Sequence, residues 1–172
     1  MLKYWDQKMA YVYAMVSKVP ADQKKSVLYT SKDLSSVSGK NVWGNDLITA
    51  SGGINSAAEI TESSSKVSVE QIMKWNPDVI IVQKNGNAAE QLKKDPRISD
   101  LKAIKSGQVF EVPIGAFWWD RPSPESPLGF MWLATKLYPE YTKDIDLKKE
   151  SKEFFKEFYN YDLSDEEYNS FF

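Results

Sequence analysis

The chain has 172 residues, 42% hydrophobic and 27% charged, which places it among soluble globular proteins with room for one core. Its 22 basic and 24 acidic residues leave a net charge of −2 without a basic stripe, which argues against nucleic acid as a partner. Cysteine and histidine are both absent, which excludes thiol nucleophiles, disulfides, zinc sites of the usual kind and every histidine-based triad or general base.

The N-terminal MLKYWDQKMAYVYAMV lacks the basic, apolar and small-residue order of a secretory signal. Apolar residues at Tyr4, Trp5, Met9, Val12, Tyr13 and Val16 instead predict a helix over 4–18, closed by Pro20. SVLYT (26–30) reads as a strand, SKDLSSVSGKN as a loop, and NDLITASGG as a helix ended by Gly52 and Gly53. In SVEQIMKWNP, Ser68 and Gln71 form a predicted capping box and Asn76 with Pro77 stops the helix. DVIIV (78–82) is a continuous apolar run, as for a parallel strand buried on both faces, and too short to cross a bilayer. AAEQLKKDPRI and DLKAIKSG predict two short helices, and QVFEVP (108–113) the next strand. Strands and helices alternate, so the expected fold is α/β with a mostly parallel central sheet between helical layers.

Four of the eight prolines fall within residues 113–127, which makes GAFWWDRPSPESP a stiff loop. A helix follows, opened by Ser123–Pro124 or Ser126–Pro127, with Leu128, Met131, Trp132, Thr135 and Tyr138 on its apolar face. Two terminal helices complete the chain, one carrying Phe154, Phe155, Phe158 and Tyr159 and the other beginning at Ser164 with acids in its first turn.

The order of ASGGINSAAEI, SVEQIMKWNPDVIIV, DLKAIKSGQVFEVP, WDRPSPE and LGFMWLATKLYPE, followed by EFFKEFYNYDLSDEEY, resembles the C-terminal lobe of ABC-transporter substrate-binding proteins for ferric siderophores, haem and vitamin B12. The resemblance runs from the first helix to the last residue. It implies two α/β lobes joined by one long helix, with ligand held between them. Residues 1–22 would then correspond to the connecting helix and 23–172 to the C-terminal lobe, the N-terminal lobe lying outside this chain. The family is extracytoplasmic, in the periplasm or as a surface lipoprotein. It catalyses no reaction and requires no cofactor or bound metal of its own.

Residue chemistry agrees with a bulky metal chelate as ligand, because such molecules present flat apolar faces and fixed charges. Trp118 and Trp119 would supply aromatic walls and Arg121 a charge-assisted contact, on a loop leaving the carboxyl end of a strand. Tyr29 and Trp43 flank a second candidate wall, with Trp43 expected in an exposed polar loop. Lys84, with Asn85 and Asn87, lies in a third loop of the same kind. GKNVWGN lacks the order of a phosphate loop. Under the resemblance, Glu70 at a helix start would dock onto arginine pockets of a membrane permease; as a first-turn acid it also suits the helix dipole unaided.

The leading expectation is capture of a ferric chelate by lobe closure and delivery to an ABC importer. Corrinoid or haem binding on the same fold is the alternative. An enzyme using Asp78, Asp120 or Glu125 is disfavoured, because no nucleophile has an evident base. Self-association through apolar surface of the first helix is a further expectation.

Overall fold

The computed structural model describes residues 1–62 and 66–172. In chain order the elements are α1 (Leu2–Val16), β1 (Ser26–Thr30), α2 (Trp43–Ala50), β2 (Ile54–Asn55), α3 (Val69–Trp75), β3 (Val79–Gln83), α4 (Ala88–Lys93), α5 (Lys102–Lys105), β4 (Val109–Val112), α6 (Ser126–Leu137), α7 (Leu147–Tyr159) and α8 (Asp165–Ser170). The four strands form one fully parallel sheet in the order β2-β1-β3-β4.

Side chains alternate across a strand, so neighbouring residues of β1 and β3 enter different layers. Val27, Val79, Ile81 and Val112 point into a core shared with α1, α2, α6, α7 and α8. Leu28, Ile80, Val82 and Val109 point into a second core against α3, α4 and α5. Each fully buried aliphatic side chain contributes roughly 1.5–3 kcal/mol, which is why the apolar run of β3 fits only the middle of a three-layer α/β/α stack.

Helix α1 belongs to the first of these cores. Tyr4 meets Phe154 and Phe158 of α7 edge-on or tilted, with centroids 5.5 and 5.1 Å apart. Its other face leaves Leu2 and Tyr13 exposed. Gly52, after α2, adopts a φ of +83°, and a Cβ there would stand 2.7 Å from the Val16 Cβ, so the close approach of α1 requires glycine.

Several boundaries differ from the sequence reading for local reasons. Helix α2 begins at Trp43, two residues early, with extended Val42 at its cap. The capping box of α3 is half formed: Ser68 Oγ accepts from the Gln71 N–H at 3.2 Å, but the Gln71 side chain turns to Glu59 Oε1 at 3.0 Å. The complete box is at α8, where Ser164 and Glu167 bond reciprocally. Helix α6 starts at Ser126 with Pro127 in its first turn. Strand β2 is two residues long, below the length at which alternation gives a signal.

Candidate ligand-binding site

In the order β2-β1-β3-β4 the chain leaves β1 toward one edge and returns past it to β3, so the crossover direction reverses between these two central strands. Open α/β sheets bind ligands in the crevice that this reversal creates outside the carboxyl ends of the strands. Here that crevice is a cavity of about 180 Å³ bounded by Tyr29, Thr30 and Ser31 of the first strand end, Ser36 and Ser38 of its loop, and Gln83 of β3. Hydroxyl and amide groups dominate its rim. Thr30 Oγ1 is turned away, donating to the Ser36 carbonyl at 3.0 Å.

Beside the crevice stands the loop after β4. Trp119 N–H donates to the Pro113 carbonyl at 3.3 Å and Gly115 N–H to the Phe117 carbonyl at 3.0 Å, and Ile114 bridges Trp118, so the segment folds back on itself as a tight turn. Adjacent side chains of such a turn point opposite ways, and the two tryptophans separate accordingly. Trp118 is half-buried, so part of its ring stays open to solvent. Trp119 is 0% exposed, beneath α6 and edge-on to Phe171 and Phe172. The expectation that Trp119 walls a ligand is therefore corrected: it is a core residue whose indole has no open face.

The next two residues fix a charge at the rim. The Arg121 guanidinium lies over the Trp118 ring, 4.4 Å from its centroid. Arg121 Nε stands 3.4 Å from Asp120 Oδ1, and the Asp120 carboxylate is nearly sealed from solvent. Asp120 Oδ2 accepts a short hydrogen bond from the Tyr29 hydroxyl. Burial, and then the Asp120 charge, drive the Tyr29 pKa upward, so its hydroxyl stays protonated as the donor this contact needs. A buried carboxylate without partners is costly. Tyr29 supplies a hydrogen bond to Oδ2, while Oδ1 has no hydrogen-bond partner and only the Arg121 charge beside it.

The remaining predicted residues have diverse placements. Trp43 is not in an exposed loop: as the first residue of α2 it packs half-buried with Trp5 and Phe130, at centroid distances of 6.1 and 5.9 Å. Its indole Nε1 is buried without a hydrogen-bond partner. Lys84 Nζ donates to the Ser170 carbonyl at 2.9 Å, where the C-terminal end of α8 attracts a cation. Glu70 is exposed in the first turn of α3, next to a surface hollow formed with Val69, Met73 and Arg97. Hydrogen bonds from its own N–H and from Ser68 lower its pKa, so it is a carboxylate at neutral pH. The sequence reading missed the crevice hydroxyls Ser31, Ser36 and Ser38 with Gln83, since strand order is needed to see them converge. Their position just past strand ends was the available signal.

A larger groove, about 700 Å³, opens at the opposite end of the sheet among Lys25, Lys102, Lys105, Lys136 and Asp78. Two of these lysines, Lys105 and Lys136, occupy the last turns of α5 and α6, where helix C-termini favour cations without a ligand. We therefore place the site at the carboxyl end, despite its smaller cavity. Among the described residues, no three acidic side chains converge as a metal-ligand set. No helix among them is long and apolar enough to cross a membrane.

Comparison with known proteins bears on the family and the fold. The family profile described as periplasmic binding protein matches residues 2–114. The molybdate-binding protein MolA of Haemophilus influenzae is 32% identical over 143 residues, covering 82% of this chain and 40% of MolA. A periplasmic solute binding protein from Veillonella parvula superposes with a TM-score of 0.86 at 33% identity, over 98% of this chain and 53% of that one. The crystal structure of MolA bound to molybdate gives a TM-score of 0.79 at 28% identity, over 92% and 49%. The chain thus spans about half the length of the relatives it matches. With a profile match across most of its length and a parallel sheet of the same architecture, the chain belongs to the periplasmic binding protein family.

Proposed function

We propose that this chain supplies one wall of the ligand cleft of an extracytoplasmic binding protein that captures a ferric siderophore or similar iron complex and delivers it to an ABC importer. The observation that carries the reading is the Arg121 guanidinium seated 4.4 Å from the centroid of the partly exposed Trp118 ring, on the loop beside the sheet crevice. A flat aromatic face with a fixed planar cation suits a large, partly apolar, anionic chelate. Residues 1–22 act as the connecting helix and 23–172 as the lobe. Trp118, Arg121 and Tyr29 form the wall, Lys84 tethers the rim, and Glu70 docks to the permease. Haem or a corrinoid would use the same faces.

A second reading has its own support. MolA, 32% identical, is named for molybdate. The crevice of about 180 Å³ suits a small oxyanion better than a bulky chelate. Titrating the chain with ferric siderophores, haemin, cobalamin and sodium molybdate, while recording tryptophan fluorescence, separates these ligands. Saturable quenching by a ferric siderophore, weakened in Arg121→Ala, is expected; a response to molybdate alone replaces the ligand. Turnover of a model phosphoester or glycoside would reject a transport role. Glu70→Ala is expected to weaken association with the importer and leave ligand titration unchanged.

A further inference from the structure

Glu125 lies at the boundary of the turn and α6, and it is 0% exposed. Its Oε1 accepts from the Phe117 N–H at 3.1 Å and from the Tyr159 hydroxyl at 3.0 Å, and its Oε2 accepts from the Trp119 Nε1–H at 2.8 Å. Phe117 and Trp119 are the neighbours of Trp118 in sequence. One carboxylate therefore grips the chain on both sides of the indole that carries Arg121. The seat is shaped for it: a Cβ at Gly115 would fall 2.1 Å from Glu125 Oε2.

The chemistry of this cluster requires a carboxyl group. Three donors converge on it, and a carboxyl group, ionised or protonated, keeps acceptor capacity at both oxygens, which an amide does not. Glutamine would turn an amide N–H toward at least one of those donors. Tyr159 belongs to α7, so the grip also ties the turn to the C-terminal helices, which pack the other side of Trp119 through Phe171. Asp120 holds Arg121 from the β1 side through Tyr29, as described above. A tyrosine hydroxyl and a buried carboxylate thus fasten the turn at each end.

We infer that Glu125 is a positioning residue, which holds Trp118 and Arg121 in their stacked arrangement without itself reaching the ligand. Its functional meaning rests on the ligand-wall reading proposed above; its structural test does not. That test is nuclear magnetic resonance of the whole chain, wild type, Glu125→Gln and Tyr159→Phe, following the Arg121 side-chain protons. In the wild type, the Trp118 ring current moves these signals upfield. Glu125→Gln should return them close to random-coil positions and Tyr159→Phe should move them part of the way, while the amide signals of Val79 to Val82 keep theirs. A purely structural glutamate would lower the melting temperature and leave the Arg121 signals in place, and that result in folded Glu125→Gln overturns the inference. Should that variant fail to fold, Tyr159→Phe decides, and unmoved Arg121 signals there overturn it equally. Titration with a ferric siderophore adds a second reading, an affinity at least ~10-fold weaker in Glu125→Gln. If the ring-current shift is lost but affinity holds, the positioning role stands and the ligand-wall reading falls.

Discussion

At the carboxyl end of the sheet the half-exposed Arg121 rests on an aromatic face and beside a buried carboxylate, whereas at the amino end four lysines ring a larger groove, Lys136 lying 5.3 Å from the Phe110 ring centroid and the others mostly in solvent. Lys102 and Lys105 pair there with Asp78 and Asp100 at 3.8 and 2.9 Å, contacts of exposed lysines that contribute little. Cavity size and charge count both favour the amino end. Pre-organisation favours the carboxyl end, because a cation that is already ordered loses less freedom on binding. The buried carboxylates Asp120 and Glu125 create that difference, and no counterpart of them lines the lysine groove beyond the partly exposed Asp78.

The largest expected effect comes from cutting beneath the carboxyl rim. Trp119→Ala removes a fully buried indole and a partner of Glu125, and should cost about 3–5 kcal/mol in urea unfolding. Tyr29→Phe removes one charge-assisted donor from Asp120 and should cost about 1.5–3 kcal/mol by the same measurement. Arg121→Lys keeps the charge and loses the planar stack. It should weaken the quenching ligand by roughly 10-fold, near 1.4 kcal/mol, with a smaller change in stability. Lys136→Ala at the opposite groove should leave affinity unchanged and shift stability by no more than about 0.5 kcal/mol. An affinity loss there as large as that of Arg121→Lys would erase the distinction between the two ends.

The pH dependence of Glu125 sharpens the same comparison. Burial outweighs its hydrogen bonds and raises its pKa above 4.5. It therefore holds its proton more tightly folded than unfolded. Its contribution to stability is fully present below the unfolded value and is lost as pH rises through the folded one. Urea unfolding from pH 4 to 7 should show the wild type gaining on Glu125→Gln as the pH falls through that window.

The sheet and its layers were legible because β3 is apolar along its length and the helices between strands carry their own stops, such as Asn76 with Pro77. The site was legible in part. A proline-stiffened turn after a strand marked Trp118 and Arg121. Which of two adjacent tryptophans faces out depends on the backbone folding back through Pro113 and Gly115, a matter of hydrogen bonds that residue type does not reveal. Tyr29 and Asp120 are 91 positions apart, and Glu125 and Tyr159 are 34 apart, so both carboxylate contacts required the tertiary fold. Trp43 misled because its polar neighbours concealed a helix start packed on Trp5 of α1.

Paramagnetic broadening by a bound ferric siderophore tests most directly where the ligand sits, since high-spin iron erases the magnetic resonance signals of nuclei close to it. Signals of Trp118, Arg121 and Tyr29 should disappear on titration while those of Lys25 and Lys136 persist. Broadening centred on the lysine groove, with the Trp118 and Arg121 signals intact, would contradict the placement of the site.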